Sequence, residues 1–527
     1  MTALLPNLMS GQWQFGTGHG TVLRDPVTGE PLVRVDATGL DLAAGFAFAR
    51  ETGGEALRSV TYRARAAMLA AAVKVLQAHR DAYFEIALAN SGTVKADSSV
   101  DIDGAIFTMG HYAKLGDALG ERPFLRDGEA ARLAKDPLFQ SQHILVPRRG
   151  IALLINAFNF PAWGLWEKAA PALLSGVPVI LKPATATAWL TQRMVRDVVD
   201  AGIFPPGALS VVCGSAQGLM DQLQAFDVVS FTGSAETAAL IRSHPAVTQR
   251  SVRVNIEADS VNAALLLPDA GKDSAAFDLF TKEVAREMTV KSGQKCTAIR
   301  RALVPQALYV EAAAAISARL AKITVGNPRN ESVRMGALVS RSQLEAVHKG
   351  LAVLRTQTEV LHDGAQHALI DADPLLSCCA GPTLLGTVNA AGSDAADRVH
   401  ATEVFGPVAT LVAYRNLNHA LALIERGEGS LVTSVYGSDA SALAQVSIAL
   451  AACNGRVHVV SPEVATMHSG HGNVMPQSLH GGPGRAGGGE ELGGIKALNF
   501  YHQRSAVQAS TAVLQLLESE PAAMAAH

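Results

Sequence analysis

Residues 150–181, GIALLINAFNFPAWGLWEKAAPALLSGVPVIL, decide the fold of this chain. The apolar residues 151–155 predict a buried strand, and residues 178–181 predict the next one. Two further apolar runs follow at 209–212 and 228–231, with an amphipathic stretch at 190–201. This alternation is typical of a parallel sheet covered by helices.

The flanking segments extend this prediction. Residues 58–115 are predicted to be mainly helical, because apolar side chains recur at helical spacing among many Ala and Leu. A second α/β region is predicted from about residue 260 to about 470. Residues 122–149 and 497–512 are predicted to be extended and to pair in an arm. Within the second region we predict strands at 263–267 and 302–304 and helices at 277–289 and 310–320.

Composition excludes several classes of protein. The chain has 527 residues, of which 48% are hydrophobic and 17% charged, so it can bury large cores. A net charge of −3, without long Lys/Arg runs, disfavours nucleic acid as a partner. Residues 150–166 are interrupted by Asn156, Asn159 and Pro161, which disfavours a membrane span. Five cysteines without paired spacing, and an N-terminus unlike a signal peptide, favour the cytoplasm.

Cys296 is the candidate nucleophile. A thiol attacks as its thiolate, and Lys291 and Lys295 stand close enough in sequence to favour that form. The alternative is a buried structural thiol, a common fate of cysteine. That reading suits the other cysteines, which lie in apolar or small-residue stretches: Cys213, Cys378, Cys379 and Cys453.

Five segments together resemble the aldehyde dehydrogenase superfamily in order and spacing, and the resemblance covers nearly the whole chain. They are Asn159-Phe160-Pro161, Lys182-Pro183-Ala184, Phe231-Thr232-Gly233-Ser234, Gln294-Lys295-Cys296 and Glu403-Val404-Phe405-Gly406-Pro407. The resemblance implies an α/β fold of the aldehyde dehydrogenase type with three parts. These are a Rossmann-like dinucleotide-binding domain (1–121 and 150–259), an α/β catalytic domain (260–470) and a small β oligomerisation arm (122–149 and 497–512).

The resemblance also implies catalytic roles. Cys296 attacks the aldehyde, and its backbone N–H and the Asn159 amide stabilise the oxyanion. Glu257 is the general base that activates water, and apolar surroundings are expected to raise its pKa. From the residues alone, Asn159 could instead be a turn residue. Residues 258–261 read Ala-Asp-Ser-Val where the family usually has Leu-Gly-Gly-Lys, so the backbone shape after Glu257 stays open.

Two further groups are implied near the base. Glu491 matches a second family carboxylate that relays protons, with Glu490 as the alternative. Lys168 follows Asn159 by nine residues on a predicted helix and supports the site. For Lys168 and its neighbour Glu167, a solvated helix face is the alternative.

The cofactor implied by the resemblance is a pyridine nucleotide. Lys182 would contact the adenosine ribose and its substituent, and Ser234, with Gly233, the pyrophosphate at a helix N-terminus. Glu403, with Phe405 in the same motif, would contact the nicotinamide ribose. Thr185 stands where relatives that prefer NAD often carry a glutamate, so NADP is predicted. A simple helix cap is the alternative for Ser234.

Two motifs are predicted to be misleading. Residues 482–487 fit the pattern GxGxxG, but no apolar strand is predicted before them and Pro483 interrupts them. His468, His471 and His480 lie in a Gly/Ser-rich segment without familiar metal-ligand spacing, so no metal site is predicted.

Longer stretches around residues 159–168, 182–188 and 480–491 resemble the family members that oxidise CoA-thioester semialdehydes in aerobic aromatic-acid (benzoate) degradation. The predicted protein is a homodimeric, NADP-dependent enzyme that converts a CoA-linked aldehyde into an acid. One alternative is an acylating enzyme that passes the thioester to free CoA, which Glu257 disfavours. The other is a non-catalytic nucleotide-binding relative, which the presence of Cys296, Glu257 and Asn159 disfavours.

Overall fold

The computed structural model describes residues 2–388 and 398–519. Two seven-stranded sheets and one three-stranded antiparallel sheet form its framework. Residues 389–397 belong to the predicted catalytic domain and lie outside the described residues.

The first 120 residues contribute short strands and a helical layer. Thr61 caps the helix Tyr62–Ala78, because its side chain accepts a hydrogen bond from the backbone N–H of Ala64. Most of residues 58–115 is helical, so the prediction for this segment is confirmed. The elements are β1 (Ala3–Leu4), β2 (Asn7–Met9), β3 (Gln12–Gln14), β4 (Thr21–Arg24), β5 (Pro31–Val35), α1 (Leu42–Phe48), α2 (Gly54–Arg58), α3 (Tyr62–Ala78), α4 (Arg80–Ile86) and α5 (Lys95–Leu119).

The first large sheet contains the four strands predicted from the apolar runs, which are confirmed. Its order is β12-β11-β8-β9-β10-β2-β3, and the pairs from β12 to β10 are parallel. The elements of this part are β6 (Leu125–Arg132), β7 (Phe139–Pro147), β8 (Ala152–Ile155), α6 (Trp163–Leu174), β9 (Val179–Lys182), α7 (Ala188–Asp200), β10 (Leu209–Val211), β11 (Val228–Thr232), α8 (Ala235–Ser243), α9 (Pro245–Thr248) and β12 (Arg253–Glu257).

The second large sheet has the order β16-β18-β19-β14-β13-β20-β21, parallel except for β16, which confirms the second α/β region. Its elements are β13 (Ala263–Leu266), α10 (Ala275–Thr289), β14 (Arg301–Pro305), α11 (Tyr309–Leu320), β15 (Val325–Gly326), α12 (Arg341–Arg355), β16 (Glu359–His362), β17 (Leu369–Ile370), β18 (Thr383–Thr387), α13 (Arg398–Ala401), β19 (Val408–Tyr414), α14 (Leu417–Glu425), β20 (Ser430–Tyr436), α15 (Ala440–Ala451) and β21 (Asn454–Val460).

The C-terminal part returns to the first half of the chain. β24 pairs with β7 along its whole length, and β7 pairs with β6, so the two segments predicted to be extended meet within one chain. The prediction that residues 497–512 are extended is wrong at both ends, because Gly494–Tyr501 form a 3-10 helix and an α-helix begins at Thr511. The last elements are β22 (Leu479–Gly481), β23 (Glu490–Leu492), β24 (His502–Ser510) and α16 (Thr511–Ser519).

The glycine-rich segment forms a hairpin, in which β22 and β23 are antiparallel. Contrary to the sequence prediction, a short strand does precede the GxGxxG pattern, but a 3-10 turn, Gly484–Ala486, follows it instead of an α-helix. Gly487 has φ +108°, and a Cβ there would lie 2.2 Å from the carbonyl oxygen of Ile256. Glycine therefore lets the hairpin lie directly against the end of β12.

Among the described residues, no helix combines the length and apolarity that a membrane crossing requires.

Candidate active site

The predicted site residues of the first sheet lie at one edge. Lys182 and Glu257 end their strands, and Asn159 and Gly233 stand in the loops that follow β8 and β11. Because the paired strands are parallel, their carboxyl ends meet at the same edge. This topology explains how residues far apart in sequence form one site.

The Cys296 loop comes from the second sheet's side of the molecule. After α10, Lys291 and Ser292 both adopt φ 54°, in the left-handed region. A carboxylate oxygen of Asp97 accepts the backbone N–H of Lys291 at 2.8 Å, which stabilises this unusual turn. The side chain of Asn262 donates to the carbonyl of Cys296 itself at 2.7 Å. The loop is therefore fixed on both sides of the thiol.

The two neighbouring lysines do not activate this thiol. The Nζ of Lys295 lies 2.7 Å from Glu287, and the Nζ of Lys291 lies 4.0 Å from Asp101 and 4.5 Å from the centre of the Phe160 ring. Burial, followed by the adjacent carboxylate of Glu257, raises the pKa of the Cys296 thiol well above its usual value. The expectation that the lysines favour the thiolate is wrong, because both are paired with acidic groups.

Three cavities meet at Cys296. A front cavity of about 390 Å³ and a rear cavity of about 420 Å³ lie on either side of an inner cavity of about 10 Å³. The inner cavity has the space of about one water molecule. Asn159 and Glu257 line both the inner and the rear cavity. The thiol, the amide and the carboxylate predicted from sequence therefore converge.

Asn159 presents a free donor to this centre. Its Nδ2 is buried and has no hydrogen-bond partner among the described residues. A buried amide N–H without a partner is costly, so it is positioned for an acceptor that arrives with a ligand. This geometry favours an oxyanion donor over a turn residue.

Glu257 contacts a residue that the sequence did not assign to catalysis. Oε2 of Glu257 lies 2.8 Å from Nε2 of His480, and both side chains are buried. Burial raises the pKa of Glu257, but His480 and then Lys168 outweigh it and lower the pKa to about 2. The expected upward shift is therefore wrong. β22 pairs with β23 and places His480 opposite Glu491. A prediction of this hairpin from the sequence would therefore have indicated that His480 lies at the site.

Lys168 and Glu491 form a buried network behind Glu257. Nζ of Lys168 lies 2.6 Å from Glu167 and 2.9 Å from Glu491, and Glu491 also accepts hydrogen bonds from Ser230 and Asn255. Glu490 is exposed, so Glu491 is the inward carboxylate.

Burial and neighbouring charges shift the pKa values of this network in opposite directions. Burial raises the pKa of Glu167 well above its usual value. Burial lowers the pKa of Lys168, but Glu167 and Glu491 outweigh burial and raise it. The solvated helix face considered for Glu167 and Lys168 is wrong, because both side chains lie in the core.

Four of the predicted cofactor residues line the rear cavity: Gly233, Ser234, Glu403 and Phe405. Ser234 also caps α8, because its hydroxyl accepts the N–H of Thr237 at 3.3 Å. Asp259, in the segment that departs from the family pattern, accepts the N–H of Ala235 at 3.0 Å. The departure thus places a carboxylate at the start of α8.

Glu403 also lines the rear cavity. It accepts the backbone N–H of Ser260 at 3.2 Å and lies 3.9 Å from the guanidinium of Arg300. Burial nevertheless raises the pKa of Glu403 to about 7. The rear cavity is lined by residues at the N-terminus of α8, by Glu403 and by Cys296, and a helix N-terminus favours a bound phosphate.

Lys182 and Thr185 hold the loop beside this cavity. Nζ of Lys182 donates to the carbonyl of Pro183 at 2.8 Å, and the hydroxyl of Thr185 donates to the carbonyl of Gly214 at 3.2 Å. Ala184, between them, lines the cavity. Contacts of Lys182 and Thr185 with a nucleotide stay a prediction.

The three histidines of the Gly/Ser-rich segment have different neighbours. His471 is buried against the hydroxyl of Ser434, His468 contacts His458, and His480 contacts Glu257. They do not converge on a common point.

The comparisons with known proteins agree with this geometry. Residues 14–507 match the model of the aldehyde dehydrogenase family. The chain is 56% identical over 480 residues, 91% of its length, to the 3,4-dehydroadipyl-CoA semialdehyde dehydrogenase of Aromatoleum evansii, of which it covers 93%.

Solved structures show the same fold. The lactaldehyde dehydrogenase of Escherichia coli is similar with a TM-score of 0.83 at 20% identity, over 96% of this chain and 99% of that one. A mutant of aldehyde dehydrogenase C from Pseudomonas syringae, in complex with NAD+ and octanal, is similar with a TM-score of 0.80 at 21% identity, over 95% and 96% of the two chains. The chain belongs to the aldehyde dehydrogenase family, and it is an oxidoreductase that acts on aldehydes with a pyridine nucleotide cofactor.

Proposed function

We propose that this enzyme oxidises a CoA-linked semialdehyde to the carboxylic acid with NADP, through a thioester on Cys296. The observation that carries the proposal is the convergence of Cys296, Asn159 and Glu257 around an inner cavity with space for about one water. A thioester formed there lies beside both an oxyanion donor and a base.

The residues divide the reaction between them. The Cys296 thiol, which is partly exposed, first gives its proton to water, and its sulfur then attacks the aldehyde carbon. Nδ2 of Asn159 and the backbone N–H of Cys296 stabilise the oxygen that becomes negative. The nucleotide, when bound, accepts the hydride. Glu257 then takes a proton from water, and the hydroxide oxygen replaces sulfur at the acyl carbon. Lys168 and Glu491 stand behind the base, where they can relay the proton.

The front cavity supports an uncharged substrate chain. Its lining is mostly apolar, and none of its lining residues is Lys or Arg. Asp103, the one carboxylate in that lining, is paired with Arg80 at 2.6 Å. A free carboxylate at the far end of a semialdehyde would enter without a cation, which is costly. A CoA thioester presents that carboxylate as a neutral group.

The mouth of the cavity supports the same substrate class. Phe107 and Met475 line the front cavity and are 54% and 40% exposed. The acyl chain would pass between apolar side chains, and the nucleotide part of CoA would stay outside. The named activity of the Aromatoleum evansii relative supports 3,4-dehydroadipyl-CoA semialdehyde as the substrate.

A matched substrate series tests this specificity. We expect the CoA thioester and the methyl ester of adipate semialdehyde to exceed the free acid in kcat/KM by about 100-fold, because only the free acid buries an unpaired charge. Equal kcat/KM values for the free acid and the ester would contradict the argument.

Mass spectrometry of the product distinguishes hydrolysis from acyl transfer. Absence of NADPH formation with every substrate would favour a non-catalytic relative.

The preference for NADP rests on Thr185. A carboxylate at this position would repel a 2′-phosphate, whereas a hydroxyl beside Lys182 can accept one. We expect Thr185→Glu to lower the NADP/NAD ratio of kcat/KM by about tenfold, or about 1.4 kcal/mol, whereas the control Thr185→Ser keeps it. An unchanged ratio in Thr185→Glu would contradict this part of the proposal.

A further inference from the structure

His480 lies at the centre of the site without a role in the steps above. Its Nε2 is 2.8 Å from Glu257, and its ring packs edge-on against Trp163 with 5.2 Å between ring centres. A ring nitrogen of His480, a carboxylate oxygen of Glu257 and the sulfur of Cys296 all lie within 4.8 Å of one another. A group this close to the base and the nucleophile influences one of the two.

Glu257 borders two spaces. It lines the inner cavity beside Cys296, and it also lines the rear cavity, where the nucleotide is proposed to bind. His480 lines the front and inner cavities. The 2.8 Å contact with His480 therefore lies on the thiol side of the carboxylate, away from the nucleotide.

We propose that His480 is a positioning residue that holds Glu257 ionised and turned toward the Cys296 thioester while water attacks. The proposal rests on the function proposed above. In that step, Glu257 takes one proton from water and the water oxygen bonds to the acyl carbon. The carbon–sulfur bond breaks, and its electron pair leaves with Cys296. His480 donates a hydrogen bond and exchanges no covalent bond.

The charges around Glu257 explain why it needs such a partner. Four groups face Glu257 besides His480. They are Glu167 and Lys168 on α6, Glu491 on β23 and the thiol of Cys296. Lys168 also contacts Glu167 and Glu491, so its charge is shared among three carboxyl groups. Burial raises the pKa of Glu257, and His480 is the strongest influence that lowers it. Removing His480 would favour the protonated carboxyl, which cannot act as a base.

The chain's own glycines make this contact possible. Gly487 and Gly489 lie against the backbone carbonyl of Ile256, where added Cβ atoms would stand at 2.2 and 2.5 Å. Ala258 donates its backbone N–H to Ala486, and Gly489 donates to Ile256. The hairpin that carries His480 is thus fixed to the strand end that carries Glu257.

The test compares His480→Phe, which keeps an aromatic ring against Trp163, with His480→Gln, which restores an N–H donor without charge. The exposed His19 supplies the control His19→Phe. In each full-length enzyme, we would measure the NADPH burst, the steady-state rate across pH, KM for NADP and thermal stability. The wild-type enzyme must show the NADPH burst and form the acid. If it does not, the proposed function is refuted, whereas a failure confined to the His480 variants refutes only the role of His480.

We expect His480→Phe to keep the burst and KM for NADP, and to lower the steady-state rate by about tenfold or more, because a positioned general base is worth about 100-fold or more. Activity needs the ionised base, so the acid limb of the pH–rate profile of His480→Phe should move up by about 1 to 3 pH units. His480→Gln should recover part of the rate and keep the shifted limb. An acid limb unchanged in His480→Gln, or in a folded His480→Phe, would overturn the proposal, as would equal loss of burst and steady state.

Discussion

The unpaired amide of Asn159 leads to a prediction at the residue scale. Nδ2 is buried beside Cys296 without a partner among the described residues, and we propose that its hydrogen bond forms with the developing oxyanion. We expect Asn159→Ala to lower kcat/KM by about 100- to 1000-fold, with thermal stability unchanged or improved. Steady-state kinetics and a melting curve check this. A kcat/KM within threefold of the wild type would contradict the assignment.

Glu403 predicts a pH dependence of nucleotide binding. Burial raises its pKa to about 7, so it loses its proton as pH rises through neutrality. The carboxylate accepts hydrogen bonds from ribose hydroxyls better than the acid does. We therefore expect the dissociation constant of NADP to fall between pH 6 and pH 8, and Glu403→Gln to remove this part of the dependence. Calorimetric titration measures it, and parallel pH profiles of the two proteins would contradict the role.

Which residues meet was more predictable than how they interact. Asn159 and Gly233 follow strands that sequence periodicity predicted, whereas Glu257 ends β12, which periodicity did not predict, and was assigned to the site by the family resemblance. Their electrostatics depends on contacts from distant elements. Lys295 was predicted to favour the Cys296 thiolate, yet Glu287, on α10, pairs with it. The pKa of Glu257 falls because His480 arrives on a hairpin that the sequence did not predict.

At the element scale, the β22–β23 hairpin predicts unequal effects of neighbouring glycines. Gly487 and Gly488 both have positive φ, but only a Cβ at Gly487 would strike the Ile256 carbonyl. We expect Gly488→Ala to cost about 1 to 2 kcal/mol of stability from left-handed strain. Gly487→Ala should cost more and also lower turnover, because its hairpin carries His480 and Glu491.

Denaturant unfolding and steady-state rates measure the difference between the two glycine variants. Equal stability and equal turnover would mean that close contact with β12 does not hold the hairpin in place.

Regular elements were more predictable than irregular ones. The apolar runs of β8, β9 and β11 are buried strands, as predicted, because parallel strands bury both faces. The 3-10 helix Gly494–Tyr501 was predicted to be extended from residue 497. Its conformation depends on tertiary contacts, such as the hydrogen bond from the Tyr501 hydroxyl to the carbonyl of Lys168 at 3.1 Å, which local sequence does not encode.

At the scale of the whole molecule, the β6–β7–β24 sheet leads to a prediction about assembly. Leu138 and Phe139, at the start of β7, are 60% and 44% exposed, and exposed apolar groups of this kind favour an interface. We expect a homodimer that Leu138→Glu with Phe139→Glu dissociates, whereas Val310→Glu, at a position 74% exposed on α11, leaves it intact. Light scattering after gel filtration measures the mass. An unchanged dimer in the double variant would exclude this face.

The most direct test of the account is intact-protein mass spectrometry of Glu257→Gln mixed with the semialdehyde and NADP. Without the base, we expect a single burst of NADPH, one per subunit, and an acyl mass added to Cys296 that persists. Cys296→Ala should show neither. Continued steady-state turnover by Glu257→Gln, or a burst without an adduct on Cys296, would contradict the central claim that a Cys296 thioester is hydrolysed by Glu257.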